Sequence, residues 1–82
     1  MKPLPKRIDA LGLLCPLPVL KLRKKLQVMS DGDSVILLTD DPAAIIDVPH
    51  FCHESGNSLV KVTIGKNKVQ KKDTREFLIK KT

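Results

Sequence analysis

The sequence predicts an α/β (α+β) fold, a two-layer βαβαββ sandwich in which two helices cover one face of a four-stranded mixed sheet. Three observations favour it. Apolar residues recur every three or four positions over residues 16–29, the spacing of a helix that buries one side. A continuous apolar run with β-branched residues at 34–39 is typical of a central strand. Apolar segments at 59–64 and 75–80 flank a charged stretch and complete the sheet.

The first strand and the first helix are joined by a turn rich in glycine and proline. Residues 6–11 predict a short strand that Gly12 ends. Pro16 suits the first helical position, where its missing N–H needs no partner, so we expect Cys15 at the N-cap. The predicted core stripe of this helix is Val19, Leu22, Leu26 and Met29.

The second helix contains a proline. Asp41 is the expected N-cap, with Pro42 at the first helical position. Pro49 interrupts the segment, so we expect a kink or two short helical pieces, the second capped by Asp47. Gly56 is the residue type that commonly follows the end of a helix.

The last two strands form a hairpin whose length the sequence leaves open. Residues 65–68 predict a turn, but the hairpin could also continue through the charged stretch to Asp73. In either case Lys71 and Lys72 belong to the hairpin, and we expect them to lie away from Cys15.

Length and composition indicate one small domain, residues 1–82, with an ordinary apolar fraction of 41%. No apolar window has the length of a membrane span, and residues 1–7 lack the apolar core of a signal peptide. We therefore expect a cytoplasmic monomer without membrane contact. In that compartment the two cysteines would be reduced rather than bridged.

The net charge of +6 is unevenly distributed. Cations concentrate at residues 21–25 and 66–81, whereas residues 31–54 are acidic. A basic surface raises the encounter rate with acidic proteins or RNA, without choosing between them. Because Phe51 and Phe77 are the only aromatic residues, a stacking platform for bases, and hence direct nucleic-acid binding, is not expected.

Cys15 is the candidate reactive residue. The pKa of a thiol at a helix N-terminus can fall from about 8.5 to roughly 3.5–7.5, because unpaired N–H groups and the helix dipole favour the thiolate. Pro16 and Pro18 remove two of those N–H groups and leave those of Cys15 and Leu17, which suits a single sulfur anion better than a phosphate. The alternative, an inert structural cysteine, remains open.

The second cysteine is expected to be structural. Cys52 lies at helical spacing from Val48 and Ile45, which predicts burial. His50 and His53 share a helix face, but Cys52 does not lie on it, and no fourth ligand is apparent. We therefore expect neither a metal nor an organic cofactor.

The segments at residues 9–18 (containing Cys-Pro-Leu-Pro), 40–42, 47–52 and 77–80 are similar in sequence and spacing to one known family. Over almost its full length the chain resembles the TusA-like (SirA-type) sulfur-carrier proteins. The resemblance implies the same βαβαββ fold, a persulfide on Cys15, and no cofactor.

The resemblance also implies partners. In the family a cysteine desulfurase supplies the sulfur, and a second carrier takes it toward a thiolated wobble uridine of tRNA. Some relatives serve other sulfur or selenium routes, and Leu17 stands where tRNA-pathway members carry an acidic residue. Pro16 and Pro18 would position the thiol, and Lys21, Arg23 and Lys24 would contact an acidic partner.

Two other function classes are consistent with the residues alone. Cys15 could form a mixed disulfide in a redox-sensing regulatory partner. A small basic domain could also bind RNA through phosphate contacts, with steep salt dependence. A sulfur adduct on Cys15 after incubation with a desulfurase and cysteine would distinguish the carrier from both.

Overall fold

Four strands and two helices follow one another in the predicted βαβαββ order. The computed structural model describes residues 4–69 and 71–82, with the backbone alone at Asn67. In chain order the elements are β1 (Lys6–Ala10), α1 (Leu17–Gln27), β2 (Ser34–Thr39), α2 (Ala44–Ser55), β3 (Ser58–Asn67) and β4 (Lys72–Lys80).

The strands form one mixed sheet in the order β1-β2-β4-β3. β1 and β2 are parallel, and the other two pairs are antiparallel. Ala10 lies beside Thr39, and Thr39 lies beside Arg75. The carboxyl ends of β1 and β2 therefore meet at one end of the sheet, which places the loops that follow them side by side.

One face of the sheet forms the core with both helices. Alternate residues of the central strands are buried, as at Val35 and Leu37 of β2 and Phe77 and Ile79 of β4. Both helices contribute to the same cluster, so both lie on this face, and the two-layer prediction is confirmed. The buried apolar cluster contains Ile8, Ala10, Leu22, Leu26, Met29, Val35, Leu37, Ala44, Val48, Cys52, Phe77 and Ile79.

The predicted stripe of α1 packs on the sheet. Leu22 and Leu26 are buried, and Val19 packs against the core from a partly exposed position. The helix ends at Gln27, two residues earlier than predicted. The N–H groups of the next two residues bond three residues back, Val28 to Lys25 and Met29 to Leu26, and this tighter turn still brings Met29 into the core.

The second helix is a single element, so the prediction of two pieces is wrong. Pro49 lies inside α2, which runs without a break from Ala44 to Ser55. Proline deprives the carbonyl of Ile45 of its helical donor. Ile45 is exposed, so water can satisfy that carbonyl at low cost. The helix ends at Gly56 in the left-handed conformation, as predicted.

The β3–β4 hairpin is the longer of the two predicted forms. Gly65 pairs with Thr74 and Lys66 with Asp73, so the turn predicted at residues 65–68 is wrong and the extension to Asp73 is confirmed. These pairs lie beyond Arg75, the residue of β4 that faces the end of β2. The hairpin therefore projects past the end of the sheet that carries the β1–α1 loop.

The outer strand β3 contains an irregularity. Its register with β4 shifts between Leu59 and Lys61, which leaves Val60 as the extra residue of a β-bulge. Because β3 is the last strand in the sheet order, its outer backbone edge has no strand partner in the described part of the chain.

Leu22→Ala tests the packing of α1. Leu22 is fully buried, so truncation should lower the free energy of unfolding by about 2–5 kcal/mol through lost burial and a residual cavity. Urea denaturation followed by circular dichroism measures the change. Leu20→Ala on the exposed side of α1 is the matched control and should stay within about 0.5 kcal/mol. Equal losses of unfolding free energy in the two variants would contradict the packing of Leu22 against the core.

Candidate functional site

The loop between β1 and α1 is held by side chains at the carboxyl ends of the two parallel strands. Asp9 Oδ1 accepts the N–H of Leu11 at 2.9 Å. Asp40 Oδ1, just after β2, accepts the N–H of Gly12 at 3.0 Å. Gly12 has a positive φ of 78°, a conformation that glycine adopts without steric cost. The loop is therefore anchored to both neighbouring strands before it reaches the cysteine.

Asp41 joins the cysteine to the start of the second helix. Its Oδ2 accepts the N–H of Cys15 at 2.7 Å, and its Oδ1 accepts the N–H of Ala43 at 3.1 Å. Asp41 is only 8% exposed, and these two donors compensate for taking the carboxylate out of water. The predicted N-cap of α2 is two residues too early, since the cap is Ala43, but Asp41 does accept the N–H of that cap residue.

The cysteine lies one residue before the helix cap, so its predicted N-cap position is wrong. Pro16 is the N-cap, Leu17 opens the helix, and Pro18 is the buried second residue. The Cys15–Pro16 peptide bond is cis. The N–H of Leu17 donates to the carbonyl of Leu14 at 2.9 Å, and that of Cys15 is bound by Asp41. The two N–H groups predicted to stabilise a thiolate are therefore both occupied.

The Cys15 side chain is exposed and borders an open groove of about 300 Å³ between α1 and α2. Pro16 and Val19 line it from the first helix, and Phe51 lines it from the second. The remaining lining residues are polar, and all lie on α2: Asp47, His50 and Glu54. Cys15 is thus reachable from solvent and shares a groove with apolar side chains.

Acidic neighbours raise the pKa of the Cys15 thiol, so the predicted lowering is wrong. The largest cause is a hydrogen bond with the Asp47 side chain, in which the neutral thiol is the donor. Partial desolvation adds to this, followed by the negative charges of Asp47 and Asp41. The thiol form is therefore favoured in the free protein, because the carboxylates outweigh a helix end whose nearest N–H groups are occupied.

Sequence analysis missed this pair of carboxylates as neighbours of the thiol, having assigned Asp41 and Asp47 to helix caps alone. A signal was present for Asp41. It lies two residues after the end of the central strand, and the carboxyl end of that strand lies beside the strand that leads to Cys15. No comparable signal existed for Asp47, because its position depends on α2 being continuous through Pro49.

The three predicted partner contacts do not share one side of α1. Lys21 donates from Nζ to the backbone carbonyl of Asp9 at 2.8 Å, and it lines a shallow surface with Leu17 and Lys24. Arg23 follows Val19 by four residues and therefore lies on the side nearer the groove. Cations thus lie on two sides of the middle of α1 instead of forming one patch.

The hairpin cations lie closer to the site than predicted. Lys72 and Arg75 line a surface cavity together with Asp40 and Pro42, the residues that adjoin Asp41. The expectation that Lys72 lies away from the cysteine is therefore wrong: the hairpin projects at the same end of the sheet.

The predicted burial of Cys52 is confirmed. Cys52 is 2% exposed, and burial raises the pKa of its thiol. His50 lies 4.0 Å from Glu54 on the exposed face of α2. Within residues 4–69 and 71–82, no three His, Cys, Asp or Glu side chains are grouped in a way that could hold a metal ion.

A sequence-family model described as sulfurtransferase TusA matches residues 6–81, nearly the whole chain. The chain belongs to the TusA family. Among solved structures, this TusA-family protein is similar to the SirA-like protein from Desulfitobacterium hafniense, with a TM-score of 0.61 and 22% sequence identity. The match covers 88% of this chain and 93% of that one, which supports the shared fold. The family resemblance inferred from the sequence is confirmed.

Neither helix of this TusA-family protein, in the part of the chain that the structure describes, has both the length and the apolar character needed to cross a membrane.

The pH dependence of alkylation tests the environment of the thiol. Because the folded protein holds the thiol proton more tightly than a free peptide, the rate of Cys15 alkylation by iodoacetamide should rise at higher pH than in the urea-unfolded chain. Intact-mass kinetics across pH would give both midpoints, and Cys52 should react only after unfolding. A folded midpoint below the unfolded one would contradict the role given to Asp47.

Proposed function

We propose that this TusA-family protein is a sulfur carrier that accepts persulfide sulfur on Cys15 from a cysteine desulfurase and relays it to an acceptor protein. Thiolation of a tRNA wobble uridine is the proposed end of the route, and the cytoplasm is the proposed compartment. The observation that carries this proposal is an exposed thiol beside an open groove, in a chain whose other cysteine is buried.

The proposed transfer is a thiol exchange that needs no external oxidant or reductant. The Cys15 thiolate attacks the outer sulfur of the donor persulfide. A new S–S bond forms on Cys15, the donor S–S bond breaks, and the donor cysteine leaves as a thiolate. In the second step an acceptor thiolate attacks the outer sulfur on Cys15, and Cys15 leaves as a thiolate.

The raised pKa of Cys15 supports holding the sulfur between these steps. A more basic thiolate is a better nucleophile once ionised and a poorer leaving group once loaded. Asp47 and Asp41 therefore favour retention of the outer sulfur on Cys15. Loss to an adventitious thiol is then slowed until an acceptor changes the surroundings of the sulfur.

The geometry lends less support to the two alternative functions, a redox-sensing regulatory partner and an RNA-binding domain. Redox-sensing cysteines commonly have a low pKa, whereas carboxylates raise the pKa of Cys15. RNA binding by stacking lacks an exposed aromatic platform, because Phe77 is buried and Phe51 lies half-buried in the groove.

Pro16 and Pro18 are proposed to position the thiol. Pro18 is buried at the start of α1, whereas Pro16 lines the groove beside Cys15. Lys21, Arg23 and Lys24 are proposed to steer an acidic partner toward this end of the molecule, mainly through the association rate.

Substitution of each cysteine tests the carrier assignment. Cys15→Ser should fold normally and accept no sulfur, because an alcohol cannot form a persulfide. Cys52→Ala should keep sulfur acceptance at a modest cost in stability, since a small buried side chain is lost. Transfer of radiolabelled sulfur from a desulfurase and cysteine measures both. An inactive Cys52 variant beside an active Cys15 variant would disprove the assignment.

Charge reversal tests the proposed docking surface. Changing Lys21 and Arg23 to Glu should slow sulfur transfer by roughly tenfold at low salt, with a smaller effect as salt screens exposed charges. Single-turnover loading at several salt concentrations measures this, and iodoacetamide reactivity of Cys15 should change little.

The matched control reverses two cations at the opposite end of the sheet. Lys6 opens β1 and Lys80 ends β4, and both are exposed. Reversing these two changes the net charge by the same amount as the docking variant. If the rate of sulfur loading falls equally in both double variants, the partner responds to net charge and not to the surface around α1.

A further inference from the structure

The groove beside Cys15 combines an apolar lining with acidic groups. Val19 and Phe51 provide apolar surface, and Asp47 and Glu54 provide carboxylates. The chain as a whole carries a net charge of +6, so this local composition runs against the overall charge. A ligand that approaches the sulfur through the groove therefore meets apolar and negative groups, although the molecule as a whole attracts anions.

The charged groups nearest the sulfur are mainly anionic on the loop before α2 and on α2, whereas the β3–β4 hairpin places Lys72 and Arg75 beside Asp40. The loop before α2 contributes Asp40 and Asp41, and their carboxylates are bound to the N–H groups of Gly12 and Cys15. Helix α2 contributes His50 together with the two groove carboxylates. Helix α1 contributes no carboxylate, and Arg23 is its cation on the side of the groove.

The groove carboxylates are Asp47 and Glu54. Among the described residues, no lysine or arginine forms a salt bridge with either of them. Glu54 lies 4.0 Å from His50, an exposed pair that contributes little. Asp47 lines the groove beside the Cys15 thiol and raises the pKa of that thiol. A cation from another molecule could therefore pair with Asp47 without breaking an existing ion pair.

We propose that this groove recognises a cation, namely a basic side chain that lies beside the reacting cysteine of the sulfur-exchange partner and pairs with Asp47. The proposal rests on the sulfur-carrier function above and adds to it the chemistry of the partner segment. The segment would place apolar surface against Phe51 and Val19 and its basic group against the carboxylate.

Pairing of Asp47 with the partner's basic side chain would couple docking of the partner to the reactivity of the Cys15 thiol. In the free protein the Asp47 carboxylate beside the Cys15 thiol raises the pKa of that thiol and so disfavours the thiolate. A docked cation neutralises that carboxylate, and the thiol proton passes to solvent. The thiolate then attacks the outer sulfur of the partner persulfide, and the partner cysteine leaves as a thiolate. In the reverse step the same pairing makes Cys15 a better leaving group.

Small charged disulfides test the cation preference without any protein partner. Cystamine carries an ammonium near each sulfur, and 3,3′-dithiodipropionate carries a carboxylate in a similar position. The rate of mixed-disulfide formation on Cys15, measured by intact mass at low salt, should favour cystamine. Asp47→Asn should reduce the ratio of the two rates roughly 25-fold, because it removes both an attraction of the ammonium and a repulsion of the carboxylate, each worth about a factor of five for one unit-charge pair at about 4 Å in water. The preference for cystamine that remains in Asp47→Asn reflects the negative charge of the Cys15 thiolate itself.

Asp31→Asn is the matched control, because Asp31 is exposed in the turn before β2, at the far end of the sheet, and its removal changes net charge equally. It should leave the rate ratio unchanged. Asp47→Asn should also move the iodoacetamide midpoint of Cys15 to lower pH, while slowing sulfur loading from the desulfurase. A structural role for Asp47 would not produce these opposite effects.

The outcomes separate this proposal from the carrier function. An unchanged ratio in Asp47→Asn, or no preference for cystamine in the wild type, overturns cation recognition whether or not the desulfurase loads Cys15. A cystamine preference that Asp47→Asn reduces, with no sulfur loaded on the wild type, supports cation recognition and overturns the carrier function.

Discussion

The carboxylate of Asp41 is the contact on which the geometry around the cysteine depends. One of its oxygens accepts the N–H of Cys15 and the other accepts that of Ala43, so a buried group joins the loop after β1 to the start of α2. The parallel pairing of β1 and β2 makes this possible, because it brings both loops to the same end of the sheet. The position of the thiol is therefore determined by strand pairing and a side chain as much as by its own helix.

Most of the fold follows from local sequence patterns. The helical spacing that leads through Leu22 and Leu26 and the apolar run of β2 each indicate their element clearly, because burial of one face requires that periodicity. The second helix was less predictable. Pro49 argues locally for a break, but burial of Val48 and Cys52 on the same helix face offsets the missing hydrogen bond.

The candidate site was predictable in position but not in electrostatics. The motif around Cys15 indicates an exposed thiol before a helix, and the structure places it there. The direction of its pKa shift depends on which N–H groups are free and which side chains face the sulfur. Both depend on tertiary contacts of Asp41 and Asp47, which lie 26 and 32 positions away along the chain. Local helix-terminus reasoning does not include such distant carboxylates.

The bulge in β3 has a consequence for the behaviour of the protein at high concentration. An edge strand with exposed Val60, Val62 and Ile64 is a template on which another chain could add a strand and start aggregation. The register shift at the bulge twists the strand locally, and Lys61 and Lys66 bring positive charge to the same edge. A second copy would have to bury those ammonium groups to pair there. The edge strand thus opposes self-association while its apolar side chains remain exposed.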